Sequence, residues 1–536
     1  MILKNLKLPH ILFLSIFILT LSCKEKTDNK SKFLQEKQEL KILLSDPVET
    51  LDPLKIVYSS DWEVANNIFE GLVSIDFDGK IQNVLVDSIL IMQDNLTYNF
   101  QIKPNVFFQD SPCFENGKGR KLNSSDINYT FERLAKKNYK FSNWHLISDK
   151  IVGIEDYYNE LNERISGIKV IDSLRFSIVL KQPFSSFLKI LANPNFYIVP
   201  KEAIEYFEEN FELNPVGTGP FRISEYKKYE KIILVKNENY HLYDKNGVRL
   251  PYLKSIEFKT IDQTENRISE LVRKSINLTS IGVEEFQNLT KDNYYLNDFN
   301  VKKGNEGLGV RYWTFYFNKN DNDQFRNLRK LIVSEFNYSN LYKDPNSLAY
   351  TLVPPKLLFA NDENLSSTQN YLHSSRFNSR DFNDTIRIMA NMEYTELLEL
   401  ENIFHKLNLP FKRIIKPDNY YGEISKVKPT LFRVSMTPSF PDAIEYYSLF
   451  YSGNINGINL GKFSNSDYDN IYEELLIEND LGSQQILYNK LEQILNDEAV
   501  AIYMKNFGPS YYIYSKNLNQ LKFNFLMPEY TNAYFE

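Results

Sequence analysis

Few residues of this 536-residue chain stand in patterns that could do chemistry. The most suggestive stretch is NPVGTGPFRISEY, from Asn214 to Tyr226, in which Gly217 and Gly219 flank Thr218. A phosphate-binding loop aims backbone N–H groups at its ligand and runs directly into a helix. The commonest such pattern also closes with Lys-Ser/Thr. Here Pro220 removes an N–H, and the residues that follow alternate as two strands about a charged turn at Lys227–Lys228. The loop therefore predicts a hairpin rather than a nucleotide site. Its two glycines are expected to take backbone angles that other residues resist.

Other chemistries lack their residues. The five histidines are His10, His145, His241, His373 and His405; none stands in HExxH or beside another histidine. There is no GxSxG elbow. Glu208–Glu209 reads as a solvated helix face. No catalytic residue, metal site or cofactor is expected, and an enzyme has no positive signal in the sequence.

The first 22 residues carry Lys4 and Lys7, then an apolar run from Ile11 to Leu21, too short to span a bilayer. They read as a signal peptide. The closing LTLSC resembles a bacterial lipobox, which implies that Cys23 is lipidated and begins the mature chain. Lys24 to Leu40 is charged and poor in apolar residues, a solvated tether. With Cys23 lipidated, Cys113 has no partner, so no disulfide is expected. Net charge is −7 and no segment is strongly basic, which argues against a nucleic-acid partner. Aromatic residues reach 14%, either a compositional bias or the lining of a cleft.

The length suggests two or three lobes rather than one core. Ser60 to Leu72 predicts a helix with a Ser60–Glu63 capping box and an apolar face of Trp62, Ala65, Phe69 and Leu72. Strands are expected at Leu96–Ile102 and Leu174–Leu180, with a helix carrying Ile127, Phe131 and Leu134 between them. Further on, DTIRIMAN, a helix from Tyr394 to Leu407, FKRIIK and TLFRVS predict parallel strands linked by a right-handed crossover.

PVGTGPF followed by ILVKNENYHLYDKNGVRLPYLKSIEF resembles the extracytoplasmic solute-binding proteins of ABC importers, in the peptide/nickel-binding family (family 5). LDPLKIVYSSDWEVANNIFEGLVSID, LTYNFQIKPNVFF with LNSSDINYTFERL, FYFNKND with FRNLRKLI, and SNSDYDNIYEELL with LYNKLEQILNDEAVAIYM resemble that family's other blocks, in the same order. The resemblance runs from about Lys41 to the end of the chain. It implies an α/β two-lobed periplasmic-binding-protein fold that encloses solute by hinge closure. Lobe I would span 41–305, with an inserted subdomain over about 80–210. Lobe II would span 306–505, and 506–536 would return to lobe I.

The resemblance also implies a function: a lipid-anchored monomer in the cell envelope, facing the periplasm or exterior, that hands an oligopeptide-like solute to an ABC permease. A non-peptide solute (an oligosaccharide or metal chelate) and a surface interaction protein are the alternatives. The solute is expected between the lobes, near MTPSFPDA, Met436 to Ala443. Ser439 stands where peptide binders place the aspartate that pairs with an α-ammonium, and it offers no charge. Phe440 and Asp442 keep the pattern, Asp442 either as a compensating anion or as a helix cap. In lobe I, Tyr58, Ser59 and Trp62 stand at the ligand-facing loop. Trp144 and Trp313 are stacking candidates, Arg433 a partner for a ligand carboxylate or a solvated strand residue, and Asn459 a donor to a ligand carbonyl or a turn residue.

Overall fold

The computed structural model describes residues 38–139, 143–260, 264–291, 296–305, 307–317, 322–337, 348–349, 351–355, 357, 359–360, 382, 384–392, 394–416, 420–438, 440–455 and 457–536. The signal segment, Cys23, His373 and Ser439 lie outside the described residues.

The apolar run at the start of the folded chain forms β1 (Glu39–Leu44), whose Leu40, Ile42, Leu43 and Leu44 are all buried. A strand covered on both faces belongs inside a sheet. It pairs in parallel with β10 (Ser255–Thr260) and with β11 (Leu278–Ile281). On one side the sheet continues through β9 (Lys231–Lys236) to β8 (Phe221–Lys227). On the other side β18 (Tyr511–Ser515), from near the end of the chain, lies between β11 and β12 (Phe299–Lys303).

The segment between β1 and β8 adds a hairpin, β2 (Val73–Ile75) and β3 (Ile81–Asn83), and an antiparallel sheet of its own. That sheet runs β4 (Val86–Ile91), β5 (Thr97–Ile102), β7 (Arg175–Val179) and β6 (Ile168–Val170). Phe100 and Phe176, directly opposite in it, stack with centroids 4.8 Å apart. The helix Ser124–Leu134 lies between β5 and β6 in the chain, capped by Asn123 with Asp126 bonding back.

The third sheet has the order β15 (Phe411–Ile415), β14 (Ile386–Ala390), β16 (Leu431–Met436), β13 (Val310–Phe315), β17 (Ala501–Asn506). As the alternation predicts, β14 runs parallel to both β15 and β16. The linking helix, Thr395–Lys406, buries Leu397, Leu400, Ile403 and Phe404. The chain passes between the first and third sheets twice, from β12 to β13 and from β17 to β18. The two passages touch: the Phe507 N–H donates to the Gly309 carbonyl at 2.7 Å. A Cβ on Gly307 would lie 1.3 Å from the Phe507 carbonyl oxygen, so no larger residue fits there.

Two expectations are corrected. The helix expected from Ser60 to Leu72 is only Ser59–Ala65, and no capping box forms. Ser60 Oγ donates instead to the Pro47 carbonyl at 2.9 Å, and Glu63 accepts the Tyr530 hydroxyl at 2.7 Å. The glycine loop does feed a hairpin, β8–β9. Its glycines, however, do not take positive φ. They are needed for close approach: a Cβ on Gly217 would meet the Ile68 carbonyl oxygen at 2.3 Å, and one on Gly219 that of Asn67 at 2.7 Å.

Candidate functional site

In open sheets with parallel strands, ligands gather outside the carboxyl ends of the strands. The parallel trio β14, β15 and β16 ends at Ala390, Ile415 and Met436, and the residues that follow form one cluster. The segment after β14 brings Tyr394, whose hydroxyl donates to Asn391 Oδ1 at 2.6 Å. The helix Tyr420–Val427, after β15, places the buried Tyr420 hydroxyl 3.0 Å from the Met389 carbonyl and 2.9 Å from that of Arg433. Tyr420 thereby ties the ends of β14 and β16 together. Tyr421, beside it, is 47% exposed.

Arg433 lies at the centre of this cluster. Its strand is internal to the sheet, so the side chain is only 6% exposed rather than solvated. The guanidinium carbon stands 3.6 Å from the Tyr394 ring centroid, a close cation–π contact. Its Nε and Nη2 have no hydrogen-bond partner among the described residues. Those two donors form the side-on edge of the guanidinium, the edge whose spacing matches a carboxylate. Burial first, and then the charge of Arg311, pull Arg433 below the ordinary arginine value. Arg311 itself was given no role by sequence reasoning. It carries no motif, and only the register of β13 against β16 brings it here.

From lobe I, the loop leading into Ser59–Ala65 presents Val57 and Tyr58, 58% and 59% exposed, and Ser59, also exposed. Asn195 holds this loop from beneath, donating to the Pro53 carbonyl at 2.6 Å and to that of Ile56 at 3.1 Å. Tyr58 is near enough to Tyr421 that its ionisation would hinder Tyr421's.

The remaining candidates are placed elsewhere or already engaged. Trp62 and Trp313 lie in the core, 6% and 0% exposed. Trp144 stacks on Tyr158 with centroids 4.6 Å apart. Asn459 is buried in a turn, donating to the Tyr451 and Phe463 carbonyls and accepting the Phe463 N–H. Phe440 is 2% exposed. Asp442 caps the helix Ala443–Tyr447 through the Ile444 N–H at 3.1 Å. It also accepts Ser186 Oγ at 2.6 Å, Lys189 Nζ at 2.9 Å and the Tyr488 hydroxyl at 3.3 Å. Its charge is thus met by Lys189, from the helix Phe187–Leu191, distant in sequence.

Two other places are already occupied by the fold's own bonds. The glycine loop spends both glycine N–H groups within the fold: that of Gly217 goes to Gln109 Oε1, and that of Gly219 to the Ile68 carbonyl. A cavity of about 860 Å³ opens between the β2–β3 hairpin and the segment Leu521–Asn532. Of the acids that line it, the buried Glu70 is already bonded to Thr218, Tyr240 and His241. His145 is buried, and burial followed by the Lys150 charge lowers it to about 4. Among the described residues no group of three His, Cys, Asp or Glu side chains could hold a metal ion, and no helix is long and apolar enough to cross a membrane.

Comparison with known proteins bears on the family and the fold. The family model for bacterial extracellular solute-binding proteins, family 5 (Middle), matches residues 80–373. The glutathione-binding protein GsiB of Salmonella typhi is 28% identical over 222 residues, 41% of this chain and 38% of that protein. The chain therefore spans about two fifths of the length of the curated relatives it matches. The fold is similar to that of the Helicobacter pylori periplasmic binding protein DppA in complex with the peptide STSA (TM-score 0.74, 18% identity, 93% of this chain and 98% of that one). It is equally similar to the Escherichia coli murein tripeptide binding protein MppA (TM-score 0.74, 20% identity, 93% and 99%). These likenesses establish the two-lobed periplasmic-binding-protein fold. Because the family model covers more than half of its residues, the chain belongs to the bacterial extracellular solute-binding proteins, family 5, which bind solutes and are not enzymes.

Proposed function

We propose that this protein is the receptor of an ABC importer and captures a peptide-like acid between its two lobes. The carrying observation is the side-on edge of Arg433, buried and without a partner among the described residues. A buried guanidinium without a carboxylate is costly, and a solute carboxylate supplies both the missing charge and the two missing acceptors. The solute enters with the lobes apart, its carboxylate meets Arg433 at the rim of lobe II, and Tyr58 and Ser59 close over it from lobe I. The Asp442–Lys189 contact fastens the closed state.

In this reading Cys23 carries the lipid that anchors the receptor to the membrane, residues 24–40 are its tether, and the closed lobes form a joint surface for the permease. The proposed lobes are 41–305, with an insert over about 80–210, and 306–505, with 506–536 returning to lobe I. The names of the relatives, which bind glutathione, a tetrapeptide and a murein tripeptide, support a peptide-like solute. Asp442 favours a narrower version. Because its carboxylate is engaged, the Ser439 block has no obvious counter-charge for an α-ammonium, so a solute lacking a free amine at that end fits best.

The test is mass spectrometry of what co-purifies, followed by thermal shift against a random tripeptide pool. Saturation at 100 times the Kd is expected to stabilise the protein by about 2.7 kcal/mol. A protein that purifies empty and whose melting no pool raises is not a peptide receptor.

A further inference from the structure

Arg311 stands beside the Arg433 edge. In the β13–β16 ladder Arg311 lies opposite Ser435 and Trp313 opposite Arg433. The two arginines therefore share one face of the sheet as diagonal neighbours, about 7–8 Å apart at the backbone. Their long side chains can reach two acceptors on one small molecule.

The local charge does not balance. Arg311 Nη1 is 3.7 Å from Glu396 Oε1, beyond hydrogen-bond length, and Arg311 Nε has no partner among the described residues. Glu396 is nearly buried, with its side chain 5% exposed, whereas that of Arg311 is 25% exposed. Glu396 thus lends partial compensation and leaves Arg311 Nε, a buried donor, without an acceptor among the described residues. The other carboxylates of the lobe II block are engaged: Asp442 by Lys189, and Glu445 by the Phe440 N–H at 3.2 Å. Arg311 is also held in place, its guanidinium 5.2 Å from the ring of Phe507, the residue at the passage between the lobes.

We propose that Arg311 is a second anion anchor and that the solute is a diacid at this end. The solute would be a peptide-like molecule with a side-chain carboxylate next to its terminal one, the first on Arg311 and the second on Arg433. This rests on the reading that Arg433 takes the terminal carboxylate. The pair of arginines sets specificity: Arg433 selects acids, and Arg311 selects, among acids, those with a second negative group.

Native mass spectrometry of the full mature chain tests it. Two tripeptide pools are offered in competition, randomised at the first two positions and ending in Glu or in Gln. The wild type is expected to prefer the Glu pool by about tenfold, the worth of one charge-assisted hydrogen bond. Arg311→Gln is expected to bind both pools alike, and Arg311→Lys to keep part of the preference. Equal binding of the two pools by the wild type, or a preference that survives Arg311→Gln, overturns the diacid inference while leaving the Arg433 reading intact. Binding of neither pool by the wild type removes both.

Discussion

Arg133 and Arg433 are each 6% exposed, and each lies against an aromatic ring, Phe211 at 5.6 Å and Tyr394 at 3.6 Å. Arg133, on the helix Ser124–Leu134 of lobe I, meets both oxygens of Asp52, at 2.8 and 2.6 Å. Asp52 in turn caps the short turn Pro53–Lys55, from which the chain runs to the exposed Val57–Ser59 loop. Arg433 has the ring but, among the described residues, no hydrogen-bonded carboxylate; Glu396 reaches it only through its charge. Lobe I completes its ion pair within the chain and so fixes a loop. In the proposed function an acid from outside takes the corresponding place beside Arg433. Two arginines with equal burial thus do different work, and the counter-ion tells them apart.

The largest effect is expected from removing the in-chain partner. Asp52→Ala removes both carboxylate contacts of the buried Arg133 and should cost about 3–5 kcal/mol, read from denaturant unfolding. A loss below about 1 kcal/mol would mean that the pair is not needed. The matching change in lobe II should act in the opposite direction on the empty protein. Arg433→Met removes a buried, unpaired charge and should leave ligand-free stability unchanged or raise it by about 1–3 kcal/mol, while solute affinity falls by about 100-fold or more. A variant that unfolds as readily as Asp52→Ala would show that Arg433 is structural.

Buried acids sharpen the contrast, because burial raises one carboxyl on each side well above its ordinary value. Burial raises Glu63, bonded by the Tyr530 hydroxyl, to about 7, and Glu492, bonded by that of Tyr447, also to about 7. Between about 4.5, the unfolded value, and 7, the folded protein holds protons that the unfolded chain has released. Stability should therefore fall as pH rises through that window and level off above it. Glu492→Gln should remove roughly half of the fall; a pH profile unchanged by that substitution would show that Glu492 does not titrate there. The smallest effect belongs to Asp442→Asn. It weakens a contact whose lysine is 33% exposed, and such pairs are worth about 0–1 kcal/mol. Solute affinity should drop only a few-fold, with more of the open form in small-angle scattering.

Much of the fold was legible in the sequence because it is written in short-range periodicity. The β8–β9 hairpin follows from Pro220 and the alternation after it, and the β14–helix–β15 unit from apolar spacing and Pro410. What escaped depends on distant partners. Ser60 and Glu63 have the spacing of a capping box, yet Glu63 is taken by Tyr530 from the far end of the chain. Gly217 was visible as special, but the reason, the Ile68 carbonyl against its Cα, is a tertiary contact. Alternation along a strand suggests one wet face and so a solvated Arg433. In an internal strand beneath Tyr394 both faces are covered. Arg311 was invisible because only register makes it the neighbour of Arg433.

The claim at the centre is that Arg433 waits for a carboxylate. The direct measurement is competition, by native mass spectrometry on the wild-type protein, between one tripeptide pool with free carboxyl termini and the same pool amidated. The expected result is retention of the free acids and loss of the amides, with the discrimination absent in Arg433→Met. Amides retained as well as acids by the wild type would contradict it.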